Sequence, residues 1–179
     1  SSNSVRAIMQ DKYGFLWIGT EEGLNRYDGI MIKSYSICPQ AAGKYISSLY
    51  GTKKNIWIGT DEGIYIYAYA TETFTYFDLT TPNNVRITSI VNHILQDKDG
   101  NLWFSTNGQG LFRYNLSKNY LEQYEFTSAF GIVASTMADS DNQIWALTNQ
   151  GESGVYKLNK AENKPIFHST RTPSTRLWQ

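Results

Sequence analysis

Apolar runs in this chain are short and they recur. Leu16-Trp17-Ile18, Ile56-Trp57-Ile58, Leu102-Trp103-Phe104 and Ile144-Trp145-Ala146 stop within a few residues, so β-branched and aromatic segments too short for helices predict strands. The four tryptophans mark a register with spacings of 40, 46 and 42 residues. Ahead of each run lies a turn. Asp11-Lys12-Tyr13-Gly14 and Asp97-Lys98-Asp99-Gly100 put Asp first and Gly fourth, the chemistry of a type I turn closed by a left-handed residue. Asp139 to Asn142 keeps the pattern with Asn in the glycine place, whereas Gly51 to Lys54 departs from it and predicts a shifted turn. After each run a further glycine (Gly23, Gly63, Gly110, Gly154) reverses the chain into Leu24 to Tyr27, Ile64 to Tyr67, Leu111 to Tyr114 and Val155 to Leu158.

Each copy gains a strand on either side. Val5 to Gln10, Ile46 to Tyr50, Val91 to Gln96 and Val133 to Ala138 feed the Asp/Gly turns, and Ile30 to Ile37, Phe74 to Phe77, Tyr120 to Phe126 and Ile166 to His168 close the units. Asp28-Gly29 is the turn signal before the first of these closing strands. Four antiparallel strands every forty-odd residues is the period of a β-propeller blade. The predicted fold class is therefore all-β, with blades at about 5–38, 46–79, 90–126 and 132–168. Residues 175–179, with Leu177 in the register of Ile8, Leu49, Ile94 and Thr136, are expected to begin a fifth, so the whole chain is one partial propeller. A blade buried on both faces needs apolar side chains at adjacent positions, which the Trp runs supply. The small residue that follows, Gly19, Gly59 or Ser105, is expected to let a neighbour approach closely.

The bulk numbers change this picture little. Of 179 residues, 41% are hydrophobic and formal net charge is zero, an ordinary globular composition without the basic stripe that nucleic-acid binding requires. The single cysteine, Cys38, forms no internal disulfide and leaves the compartment open. No apolar run approaches the roughly 18 residues of a membrane span, and no signal peptide opens the chain.

The residues Val5, Ile8, Asp11, Gly14, Leu16, Trp17, Gly19, Thr20, Gly23, Leu24 and Tyr27, repeated with decreasing fidelity along the chain, carry a pattern that resembles the two-component regulator propeller repeat. The resemblance implies the first part of a larger, seven-bladed propeller from the periplasmic sensor region of a bacterial hybrid two-component system, of the Bacteroides-like kind that responds to polysaccharide fragments. It implies an oligosaccharide ligand, no catalysis in this segment, and a membrane helix, histidine kinase and DNA-binding regulator elsewhere in the protein. Self-association through open blade faces, or as a homodimer, is the other expected partnership, and no nucleic acid is expected to touch this segment. The alternatives are a propeller enzyme acting on carbohydrate, of lyase or sialidase type, and a protein-interaction scaffold.

Candidate chemistry is sparse. The register tryptophans sit in apolar strands and are read as core rather than sugar platforms. Asp97-x-Asp99-Gly100-Asn101 lacks the further oxygen ligands of a calcium loop, and Lys12 and Lys98 stand where the Asp of a sialidase Asp-box would be. His93 and His168 are isolated, so no metal site, cofactor or catalytic residue is expected. His93 is expected to be a hydrogen-bonded residue of an inner strand. Glu21, Glu22, Asp61 and Glu62 recur at one turn, between the second and third strands, as do Asn107 and Gln109. Those turns open on the same face as the links between blades, where propeller ligands meet the protein. These six are the candidate ligand-binding residues.

Overall fold

Alternation within each apolar run decides how the units stack. The computed structural model describes residues 4–38, 44–126, 132–149, 154–159 and 164–168. The described strands form four antiparallel four-stranded sheets, each in simple up-and-down order. The first sheet contains β1 (Val5–Gln10), β2 (Leu16–Thr20), β3 (Gly23–Tyr27) and β4 (Ile32–Tyr35). The second contains β5 (Ile46–Gly51), β6 (Asn55–Thr60), β7 (Gly63–Ala68) and β8 (Thr73–Tyr76). The third contains β9 (Val91–Gln96), β10 (Leu102–Thr106), β11 (Leu111–Asn115) and β12 (Tyr120–Tyr124), and the fourth β13 (Val133–Ala138), β14 (Ile144–Thr148), β15 (Gly154–Asn159) and β16 (Lys164–His168). Strand β1 packs on β5, β5 on β9 and β9 on β13, which makes the first strand of every blade the inner one. No comparable packing among the described residues joins β13 back to β1. The four blades form an open succession of propeller blades.

In the first three blades the Trp of the second strand points to the following blade, and in the last three its two neighbours point to the preceding one, as the two-residue period of a strand requires. Trp17 shares a core with Ile46, Ile56, Ile58 and Tyr67 of the second blade. Trp57 shares one with Leu102, Phe104 and Phe112 of the third, and Trp103 one with Ile144, Ala146 and Tyr156 of the fourth. The ring centroids of Trp57 and Phe104 lie 5.7 Å apart across the interface. The small residue two places after the Trp faces forward as well. A Cβ on Gly19 would come within 2.5 Å of Ile46 Cγ2, and one on Gly59 would lie 2.1 Å from Ser48 Oγ and 2.9 Å from the Val91 carbonyl oxygen. Ser105 uses the same proximity, its hydroxyl lying 3.1 Å from that of Thr136.

The ends of several elements differ from the sequence expectation. Strand β4 starts at Ile32 rather than Ile30, because the two-residue loop is Gly29-Ile30 and not Asp28-Gly29. Asp28 Oδ1 accepts the backbone N–H groups of Ile30 and Met31, and Gly29 takes the positive φ of 100°. Strand β12 ends at Tyr124, short of Phe126. The expected fifth unit at 175–179 lies outside the described residues, as do the ends of the links around 39–43 and 127–131.

Candidate functional site

The up-and-down order places the turns between second and third strands, and the links between blades, on one face. The Asp/Gly turns lie on the opposite face. On the link face, a threonine builds each turn: Thr20, Thr60, Thr106 and Thr148 donate their hydroxyls to the carbonyls of Gly23, Gly63, Gly110 and Gly154. The backbone N–H groups of Glu22, Glu62 and Gln109 donate to the hydroxyl oxygens of Thr20, Thr60 and Thr106.

This face holds all six expected residues, in different states. Glu21 pairs with Arg6, whose Nε lies 3.0 Å from Glu21 Oε1. Glu62 pairs with Lys44, an 8% exposed side chain against 68% for the glutamate. The Glu62 hydrogen bond raises the Lys44 pKa and holds the ammonium charged. Glu22 and Asp61 are exposed at their turns. Gln109 is committed to structure. Its Oε1 accepts the N–H groups of Thr88 and Ser89 at 2.9 and 3.0 Å, and its Nε2 donates to the Arg86 carbonyl, so it clamps the link entering β9.

Asn107 lines a recess. This opening of about 340 Å³ is bounded by Asn92, Asn107, Ile132, Ala134 and Asn149, where the inner strands of the third and fourth blades reach the link face. Asn92 Nδ2 donates to the Val133 carbonyl at 2.9 Å, which fixes its side chain across the interface. Three amides on one opening can both donate and accept, which suits hydroxyl groups better than a fixed charge. Asn92 and Asn149 were not among the expected residues. Asn149 was findable, since it follows Thr148 as Asn107 follows Thr106, but Asn92 carries no signal within an inner strand.

The opposite face carries a device that the turn chemistry only half reveals. Asp97 Oδ1 accepts the N–H groups of Asp99 and Asn101, and Oδ2 accepts the Trp103 indole N–H at 2.9 Å. Asp11 and Asp139 do the same for Trp17 and Trp145, each at 2.8 Å. These carboxylate oxygens are engaged within the fold, which accounts for Asp at the first turn position without calcium. Gly14, Gly100 and Asn142 take positive φ, and the second blade turns differently. There Thr52 N–H donates to the Asn55 carbonyl, a hairpin one residue shorter than Asp11 to Phe15. The Trp57 indole nitrogen is buried and has no hydrogen-bond partner.

His93 lies on inner strand β9, with Nδ1 3.4 Å from both the backbone nitrogen and the hydroxyl of Thr136. Burial lowers its pKa. No group of three or more metal-ligating side chains occurs among the described residues.

Fold, turn chemistry and repeat define an all-β propeller built from Trp-anchored hairpins. A family model described as the two-component regulator propeller matches residues 1–22 and 83–108. The chain is 28% identical over 150 residues, 79% of its length, to histidine kinase P4 of Formosa agariphila. It superposes with a TM-score of 0.80 over 95% of its length, at 25% identity, on the extracellular domain of the hybrid two component system BT3049 from B. thetaiotaomicron. Virginiamycin B lyase from Staphylococcus aureus superposes with a TM-score of 0.73 over 95% of this chain and 57% of the lyase, at 17% identity, a likeness of fold alone. The chain spans 11% of the length of the kinase and 25% of that of the BT3049 domain. It is thus similar to part of the extracellular domain of a hybrid two-component system.

Proposed function

We propose that this chain is part of the extracytoplasmic ligand-sensing region of a hybrid two-component signalling protein, periplasmic in location, and that it recognises oligosaccharides without transforming them. The observation that carries the ligand class is the recess bounded by Asn92, Asn107 and Asn149, on the face where links and turns converge. Amides present donors and acceptors together, as hydroxylated rings require. Glu21, Glu22, Asp61 and Glu62 form the charged surround of that face, and Gln109 holds the adjoining link in place. Binding in such a recess signals by favouring one arrangement of the ectodomain over another. The kinase and regulator that would read this shift belong to the remainder of the protein.

The test is a thermal-shift screen of the chain against neutral and acidic oligosaccharides, with product analysis of each mixture. A saturable rise in melting temperature without product, lost in Asn107→Ala, is the expected result. Release of unsaturated or shortened sugar would instead identify a carbohydrate-active enzyme, and silence across the panel would overturn the ligand class.

A further inference from the structure

Each register Trp lies in a row of cross-strand partners, and the rows of the first and third blades differ by one reversed charge. In the third blade Trp103 pairs with Arg113, and Arg113 with Glu122 on the outer strand. The Arg113 guanidinium lies against the Trp103 ring, and its Nη1 meets Glu122 Oε2 at 3.4 Å. In the first blade Trp17 pairs with Arg26 in the same way, but the residue opposite Arg26 on β4 is Lys33. Like charges directly opposite on one face of a sheet repel. Among the described residues Arg26 makes no hydrogen bond or ion pair.

Rings hold this guanidinium in place. Its Cζ lies 4.5 Å from the ring centroid of Phe15, 5.5 Å from that of Tyr35 and 5.7 Å from that of Trp17, and Lys33 Nζ lies 4.9 Å from the Tyr35 centroid. Stacking orients the planar group but gives its N–H edge no acceptor. Unlike the buried Nε of Arg113, no nitrogen of Arg26 is shut off from solvent. Arg26 borders a pocket of about 220 Å³ at the Asp/Gly-turn end of the first two blades, with Tyr13, Phe15, Tyr67 and Tyr69 in its wall. That is below the roughly 300–1,000 Å³ of drug-sized sites and suits the headgroup of a ligand. Two carboxylates also line it. Asp11 is buried and engaged, its oxygens accepting the Tyr13 and Phe15 N–H groups and the Trp17 indole, whereas Glu72 is exposed. Lys12 Nζ lies 4.7 Å from the centroids of both Tyr13 and Tyr69. Arg26, Lys33 and Lys12 therefore outnumber the acidic groups around this opening.

We propose that this pocket binds the carboxylate of a small acidic molecule, held by the Arg26 guanidinium as Glu122 is held by Arg113, with Lys33 supplying a second positive charge. A carboxylate matches the planar fork of the guanidinium, and the aromatic wall favours the carbon frame that carries it. The site lies on the face opposite the recess and uses none of its residues. Lys33→Glu rebuilds the third-blade pair from within the chain, and so fills the site without a ligand.

The experiment follows the Arg26 Nε–H resonance, assigned with Arg26→Lys, during titration with acetate, glucuronate, sulfate and glucose at an ionic strength held constant with sodium chloride. Acetate and glucuronate are expected to shift it saturably, and glucose to leave it in place. Lys33→Glu, at an exposed position, should fold as the parent does and weaken the carboxylate response roughly tenfold or more, because the guanidinium then has its charged partner. Glu72→Gln removes the exposed competing charge and should strengthen the response. Asn107→Ala should leave it unchanged, so the pocket and the recess fail independently. A resonance unmoved by either carboxylate would overturn the proposal, as would binding undiminished in Lys33→Glu. A response to sulfate without one to the carboxylates would also refute it, by assigning the pocket to a tetrahedral anion.

Discussion

Glu21 and Glu62 sit in equivalent turns and read alike in the sequence, yet burial separates them. Glu21 meets Arg6 with both side chains substantially exposed, and solvent screens such pairs so that they add little to stability. Replacing Glu21 and Glu22 together by Ala should therefore change the urea midpoint little. Glu62 covers the largely buried Lys44, and truncating it leaves that ammonium without its charged partner. Glu62→Ala is expected to cost roughly 1–2 kcal/mol, the scale of a hydrogen bond between charged groups. Equal losses for the two variants in urea unfolding would refute the distinction. His93 yields a pH prediction. Burial lowers its folded-state pKa below the ordinary 6.5, so the fold favours the neutral ring. As pH falls, the unfolded chain binds the proton first. The stability this ring contributes is full above about pH 6.5 and declines below it until pH passes the folded-state pKa. His93→Gln should flatten the loss of stability between about pH 7 and 5, and an unchanged slope would show that other groups dominate.

At the level of the hairpin, much was legible because each residue answers to a local rule. Asp first and Gly or Asn fourth gave the turn, the short apolar run gave the strand, and Gly19 or Gly59 gave the close approach to the next blade. The Asp-to-Trp hydrogen bond was not read, although the constant six-residue interval from Asp11 to Trp17, Asp97 to Trp103 and Asp139 to Trp145 carried it. Turn propensity explains the Asp without any distant acceptor, so nothing local demanded the bond. The six candidate residues were legible as a shared face, because strand order alone fixes which turns lie together. Which of them line a recess and which act as clamps depends on side-chain direction, and that the pattern does not encode. A direct consequence concerns Asp97. Its carboxylate serves two backbone N–H groups, the Asn101 amide and the buried Trp103 indole. Asp97→Ala should cost roughly 2–4 kcal/mol by leaving several buried donors unpaired. A loss below about 1 kcal/mol in denaturant unfolding would mean that water replaces the carboxylate at no cost.

Across the whole molecule, coverage of the blades is uneven, and that unevenness makes its own prediction. The Trp of each of the first three blades is almost fully buried under the blade that follows, whereas Trp145 of the fourth is only half-buried. On the inner strands, Ile94 is 3% exposed between neighbours, but its counterpart Ile8 in the first blade is 66% exposed. At the forward-facing position two after the Trp, where Gly19, Gly59 and Ser105 are crowded, Leu147 stands 47% exposed. The two terminal faces thus display the apolar side chains that bury themselves at every internal interface. Stacked repeats tolerate this because each blade is stabilised chiefly by its immediate neighbours, but uncovered faces of this kind promote association. The 179-residue chain on its own should self-associate as concentration rises, one copy's first-blade face meeting another's fourth. Ile8→Ser combined with Leu147→Ser should shift the association midpoint to at least tenfold higher concentration while leaving the melting temperature of the dilute protein within a few degrees. Light scattering over a dilution series decides the matter. A parent that stays monomeric throughout would show that the terminal faces are too shallow to hold a partner, and a double variant that associates as readily as the parent would place the contact elsewhere.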